Sequence, residues 1–154
     1  MVGRELLVVS LGAGRYGVPM ECVDHILEYR EPRPMPGATG ESVVDARGQV
    51  VALVRVGDRL GVAPCPPAAP AIVVVRLRGR AAGLVVDDVH EVVLVGFERC
   101  ERPPAGGEHL EAVVPLDGRL LMILDLPAVL GLQPPRVRPG SGTRGREGGA
   151  ARSA

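Results

Sequence analysis

The chain carries 154 residues, 46% of them hydrophobic, with 18 basic and 18 acidic side chains and no formal net charge. Every basic residue is Arg, which excludes chemistry that needs a lysine amine, such as phosphate-loop lysines and Schiff bases. Through Leu132 there are 13 Arg against 17 Asp and Glu, and after it 5 Arg against one Glu, so the body is mildly acidic and argues against a nucleic-acid partner.

The three cysteines, Cys22, Cys65 and Cys100, are odd in number and unpaired in spacing, which reads as a reduced, cytoplasmic protein. The opening residues lack the basic start, long apolar run and small-residue cleavage site of an export signal. No apolar run approaches the ~20 residues of a membrane span, so a membrane is expected to be reached only through a partner.

Glu5 to Leu11 is rich in Leu and Val and stops at Gly12, which predicts a buried strand followed by a turn at Gly12-Ala13-Gly14 and a second strand from Arg15. After Pro19, Met20, Val23 and Ile26 or Leu27 stand at helical spacing, enough for one or two turns before a strand resumes. Residues 31–40 hold three Pro and two Gly and read as an irregular loop. Val43 to Gly61 reads as a strand, a tight turn at Arg47-Gly48, a longer strand and a closing turn at Gly61. Val62 to Pro70 has four Pro and no charge, an extended and stiff linker.

The pattern then starts again. Ala71 to Val75 follows Glu5 to Val9 at an offset of 66 residues, and at that offset Leu77, Gly83, Val86 and Val89 answer Leu11, Gly17, Met20 and Val23. Asp117 to Gly131 lies without a gap against Arg47 to Gly61, and each apolar position between the turn glycines stays apolar. Two copies of one β unit are therefore expected, about 15–61 and 72–132, with strands shared between them and a longer Gly- and Pro-rich connection between Val95 and His109. From residue 133 onward apolar content collapses into Gly, Arg, Pro and Ser, a tail expected to be disordered.

Candidate chemistry is sparse. Gly12-Ala13-Gly14-Arg15-Tyr16-Gly17 fits a dinucleotide fingerprint, but Val18-Pro19 continues extended where the mechanism needs a long helix, so a plain turn is the better reading. Cys22 and His25 lie three apart, with Cys100 and His109 far along the chain. Their spacing is not that of a zinc finger, and no third group orients a Cys-His nucleophile pair. Asp87-Asp88 with Glu91 reads better as acidic residues opening a helical turn than as a catalytic or metal-binding pair. No catalytic, cofactor or metal set converges, which favours a protein that binds through its surface. A small metal- or thiol-dependent enzyme and a stand-alone SH3-like peptide binder are the alternatives.

Tyr16-Gly17-Val18, Val23-x-x-Ile26, Arg47-Gly48-x-Val50, Gly83-Leu84-x-Val86-Asp87-x-Val89-x-Glu91-Val92 and Leu120-Leu121-x-Ile123-Leu124-Asp125-Leu126 occur in that order. In this the chain resembles the CheW-type coupling proteins of bacterial chemotaxis, over about Glu5 to Leu132. The resemblance implies an all-β fold with short helices, built as two intertwined five-stranded SH3-like barrels, without enzymatic activity or cofactors. Its implied partners are the regulatory domain of a CheA-type histidine kinase and the cytoplasmic tip of a methyl-accepting chemoreceptor. It assigns Arg47 and Gly48, at the hairpin tip, to receptor and kinase coupling, and Val23, His25, Val43 and Val44 to the neighbouring first-barrel surface. Val86, Asp87 and Val89 fall in the second-barrel contact segment. Ala52 and Arg55 stand where the family carries Pro and Asp, and His25 where it often carries Glu. These departures shift the charge around the first barrel's contact face by roughly two to three units, enough to alter partner choice.

Overall fold

A computed structural model describes residues 3–29, 33–34, 42–63, 70–105 and 107–132. The tail from 133, Cys65 with most of the proline linker, and much of the 31–40 loop lie outside the described residues. The elements are β1 (Gly3–Leu11), β2 (Gly14–Pro19), β3 (Val23–Glu28), β4 (Arg33–Pro34), β5 (Ser42–Ala46), β6 (Gln49–Arg55), α1 (Val56–Leu60), β7 (Ala71–Leu77), β8 (Arg80–Val86), β9 (Asp88–Gly96), β10 (Leu110–Leu116), β11 (Arg119–Leu124) and α2 (Leu126–Val129).

They form a five-stranded and a six-stranded sheet, in the orders β10-β11-β2-β1-β9 and β3-β7-β8-β6-β5-β4, which correspond to the two SH3-like barrels that the family resemblance implies, the two-residue β4 being the sixth strand. The sharing of strands takes a definite form. The opening hairpin of the first copy, β1-β2, sits in the sheet of β9, β10 and β11, while the opening hairpin of the second copy, β7-β8, sits in the sheet of β3 to β6. Each exchange is sealed by a parallel pairing, Leu121 to Ile123 on β11 beside Arg15 to Gly17 on β2, and Ala52 to Arg55 on β6 beside Ala82 to Val85 on β8. The division between barrels thus runs not at the linker but at the end of each hairpin, near Cys22 and near Val86.

The exchange explains why β1 and β7 read as continuous apolar runs. Leu6 and Val8 fill the second barrel, whereas Leu7, Val9 and Leu11 on the opposite face enter a core shared by both barrels. Their equivalents repeat this: Ile72 and Val74 fill the first barrel, and Val73 and Val75 join the shared core. All nine are at most 4% exposed, and burying each such side chain contributes roughly 1.5–3 kcal/mol. The shared core, which also takes Tyr16, Val18, Val54, Val56, Leu84, Val86, Leu124, Leu126 and Val129, welds the barrels together.

Three expectations about helices need correction. Past Pro19 only Met20–Cys22 forms a single 3-10 turn, and Val23 to Glu28 alternates between half-buried and exposed as a strand does. Asp87-Asp88 opens no helix; the chain passes directly from β8 into β9, whose register against β1 takes Asp88 opposite Ser10. The closing turns at Gly61 and Gly131 each follow a one-turn helix, α1 and α2. Gly61 adopts φ 72, a left-handed cap whose amide donates to the Asp58 carbonyl.

Candidate protein-binding surface

The β5-β6 hairpin turns at Arg47 and Gly48, both at positive φ (55 and 83), which matches the twist of the strands it joins. Asp45 Oδ1 accepts from the Gly48 amide at 2.9 Å and holds the turn, leaving Arg47 exposed. Next to it Gln49 Oε1 accepts from Arg76 on β7 at 2.7 Å, and the Arg76 guanidinium lies 3.7 Å from the Asp24 carboxylate on β3. A polar relay therefore ties the hairpin tip to strand β3, so Arg47, Gly48 and the β3 segment belong to one end of the first barrel.

Several residues expected on the surface are not there. Val44 is 6% exposed and fills the interior of the first barrel with Ala46, Val51, Ile72 and Val74. Val86 is fully buried in the shared core, because β8 turns Leu84 and Val86 to that face. Neither side chain can touch a partner. His25 is drawn inward too: its register partner is Val74, whose side chain lines the first barrel, and the imidazole keeps only 8% of its accessible surface. Its Nδ1 faces Asp24 Oδ2 at 3.0 Å, and its Nε2 is buried without a partner among the described residues. Val23 and Val89, equivalent in the repeat, are half-buried on the rim of the shared core, and Val43 is half-buried on β5. Asp87 is engaged as well, accepting from the Gly12 amide at 2.7 Å, while its own amide donates to the Ser10 carbonyl at 3.0 Å. That bond consumes the first amide of the glycine-rich turn, which here joins two strands and offers no helix N-terminus to a phosphate.

The Cys22-His25 pair fails as a nucleophile on two counts. Cys22 packs against the shared core while His25 turns to the first barrel's interior. Burial, reinforced by the negative charge of Glu21 and Glu111 against the opposing pull of Arg4, pushes the Cys22 thiol up, the reverse of activation. Among the described residues no three His, Cys, Asp or Glu gather as a metal site, and no helix is long and apolar enough to cross a membrane.

What the surface does present, and sequence reading passed over, is a set of exposed apolar side chains in repeat-related positions. Ile26 on β3 and Val92 on β9 are equivalents, 44% and 48% exposed, and each lies on the outermost strand of its sheet. Val50 and Leu120, equivalents beside the two hairpin tips, are 65% and 57% exposed. Leu94 and Phe97 extend the β9 patch. The signal that finds them is the repeat itself, since a position apolar and exposed in both copies is not there to fill a core.

Fold and surface together define a duplicated SH3-like β protein whose accessible features are edge strands and turn tips, the elements with which proteins dock on proteins. A family model described as CheW-like domain matches residues 5–133, and the chain belongs to that family. It is 27% identical over 135 residues to a "Chemotaxis protein CheW" of Rhizobium meliloti (strain 1021), covering 82% of this chain and 87% of the relative. To a "Probable chemotaxis protein CheW" of Rhizobium etli it is 26% identical over 134 residues, covering 82% and 86%. The fold is shared with the scaffolding protein TtCheW from Thermoanaerobacter tengcongensis at a TM-score of 0.75 and 23% identity, over 84% of this chain and 88% of that one.

Proposed function

We propose that this chain is a non-catalytic coupling protein of a chemotaxis-type signalling system in the cytoplasm, one that holds the cytoplasmic tip of a methyl-accepting chemoreceptor and the regulatory domain of a CheA-type histidine kinase in fixed geometry. The observation that carries the reading is the family match across residues 5–133, which spans both barrels. The exposed apolar residues on β3, β9 and the hairpin tips support it, because affinity at such surfaces comes from desolvated apolar contacts and selectivity from charges beside them. Arg47, set on a turn tip and clear of the core, is the residue whose charge a partner meets first.

Arg47→Asp should leave the melting curve unchanged and weaken capture of the kinase regulatory domain or the receptor tip by roughly tenfold, as truncating or reversing an interface arginine does. Unchanged capture of both partners by the variant, or failure of the wild-type chain to retain either, overturns the reading.

A further inference from the structure

The charge that cancels over the whole chain is unevenly placed. Residues 1–22 and 87–132, which build the second barrel, hold 5 Arg against 11 Asp and Glu, while residues 23–86 hold 8 Arg against 6. The acidic barrel carries an open groove of about 700 Å³ where the start of β1 meets the 3-10 turn at Met20 and the start of β10. Its walls combine apolar Met20, Phe97 and Ala112 with Glu5, Glu21 and Glu111. Among the described residues Arg4 is the groove's lone cation, and it is spent on Glu111, at 2.6 Å. Glu5 and Glu21 form no ion pair among the described residues. Carboxylates set among apolar side chains suit an arginine-bearing segment with small apolar residues between the charges.

The chain owns such a segment. Residues 133–154 carry 5 Arg against one Glu, and begin with the pattern Arg136-Val137-Arg138 between prolines. The strand that leads to it ends beside the groove: Leu124 pairs with Leu110, the neighbour of Glu111, and the Asp125 amide donates to the His109 carbonyl at 2.9 Å, after which the chain turns through α2 and the Val129 carbonyl accepts from Arg59 at 2.7 Å. Only seven residues separate Asp125 from Gln133, and each further extended residue adds up to roughly 3.3–3.6 Å of reach. We infer that the C-terminal segment, led by Arg136 and Arg138, occupies the Glu5–Glu21 groove of its own second barrel in the free protein. Tethering makes the contact intramolecular, with an effective concentration on the order of millimolar, so individually weak charge pairs suffice. An external basic strand competing for the groove has to displace the tail. The assignment does not depend on the coupling role.

Cys100 lines the same groove and serves as a reporter. In the full chain at about 20 mM salt, where charge pairs are little screened, its alkylation is followed by mass spectrometry of its peptide. Expected are a rate roughly threefold or more higher in Arg136→Glu/Arg138→Glu and in Glu5→Gln/Glu21→Gln, and a similar rise in the wild-type chain at about 0.5 M salt. The salt arm needs no variant, so it stands even where a substitution perturbs folding. Equal Cys100 rates at low salt in the wild type and the Arg136→Glu/Arg138→Glu chain overturn the assignment. So does protection that grows with protein concentration, because the occupant is then a second copy.

Discussion

Arg55 and Asp125 hold the same place in the two copies, and each immediately precedes a one-turn helix. Asp125, 2% exposed, accepts from the Ala128 amide through Oδ1 at 3.4 Å and so caps α2. Arg55 has no acceptor to offer and instead reaches the Tyr29 hydroxyl at 3.1 Å, leaving α1 without a side-chain cap. The departure at Arg55 that looked like a change of partner charge is therefore first a change of helix capping. Asp125→Ala should cost about 1–2 kcal/mol of unfolding free energy in a urea titration, the usual loss for a buried N-cap. Tyr16, buried in the shared core, gives a pH dependence. Burial raises its phenol above the ordinary value of 10.0, so the folded state holds the proton more tightly than the unfolded one. This contribution is complete below pH 10.0 and is lost as pH rises toward the folded value. Urea midpoints should fall as pH rises above 10.0, and Tyr16→Phe should flatten that fall.

At the level of elements, Gly17 on β2 and Gly83 on β8 show how the repeat is built into packing. A Cβ on Gly83 would stand 2.8 Å from Ile72 and 2.9 Å from Leu53, while one on Gly17 would stand 3.3 Å from Leu6. The glycines make room for the large residues that fill each barrel. Gly83→Ala should destabilise the fold by about 1–3 kcal/mol and Gly17→Ala by less, measured side by side in thermal melts. Much of this was legible in the residues. The turn pairs Arg47-Gly48 and Asp117-Gly118 fall where their chemistry placed them, and the apolar runs of β1 and β7 are strands. The short helices were not legible, because Val56 to Leu60 and Leu126 to Val129 are single turns with no room for a 3.6-residue period. Nor was the inward turn of Val44, Val86 and His25, since which face of a strand meets a core depends on the sheet it joins. Val92 and Leu94 sit in an unbroken apolar run, and a strand's place at the edge of a sheet leaves no mark on its own sequence.

At the scale of the molecule, the exchanged hairpins make the two barrels one unfolding unit. Neither sheet is complete in residues 3–63 or 70–132 alone, and the shared core draws on β1, β2, β6, β7, β8 and β11. Thermal unfolding followed by calorimetry should give a single transition whose calorimetric and van't Hoff enthalpies agree; two separable transitions would show that the barrels melt independently. The same topology leaves each barrel a distinct electrostatic character, the first slightly basic and the second strongly acidic, so a partner approaching from solution meets two ends of opposite sign.

A polypeptide half this long could close the same architecture as a twofold-symmetric pair, each subunit lending its first two strands to its neighbour. Joining the subunits head to tail replaces a bimolecular encounter with a tethered one and frees the halves to diverge. With Arg47 and Asp117 at equivalent turn tips, the two halves present opposite charges from the same position of the repeat.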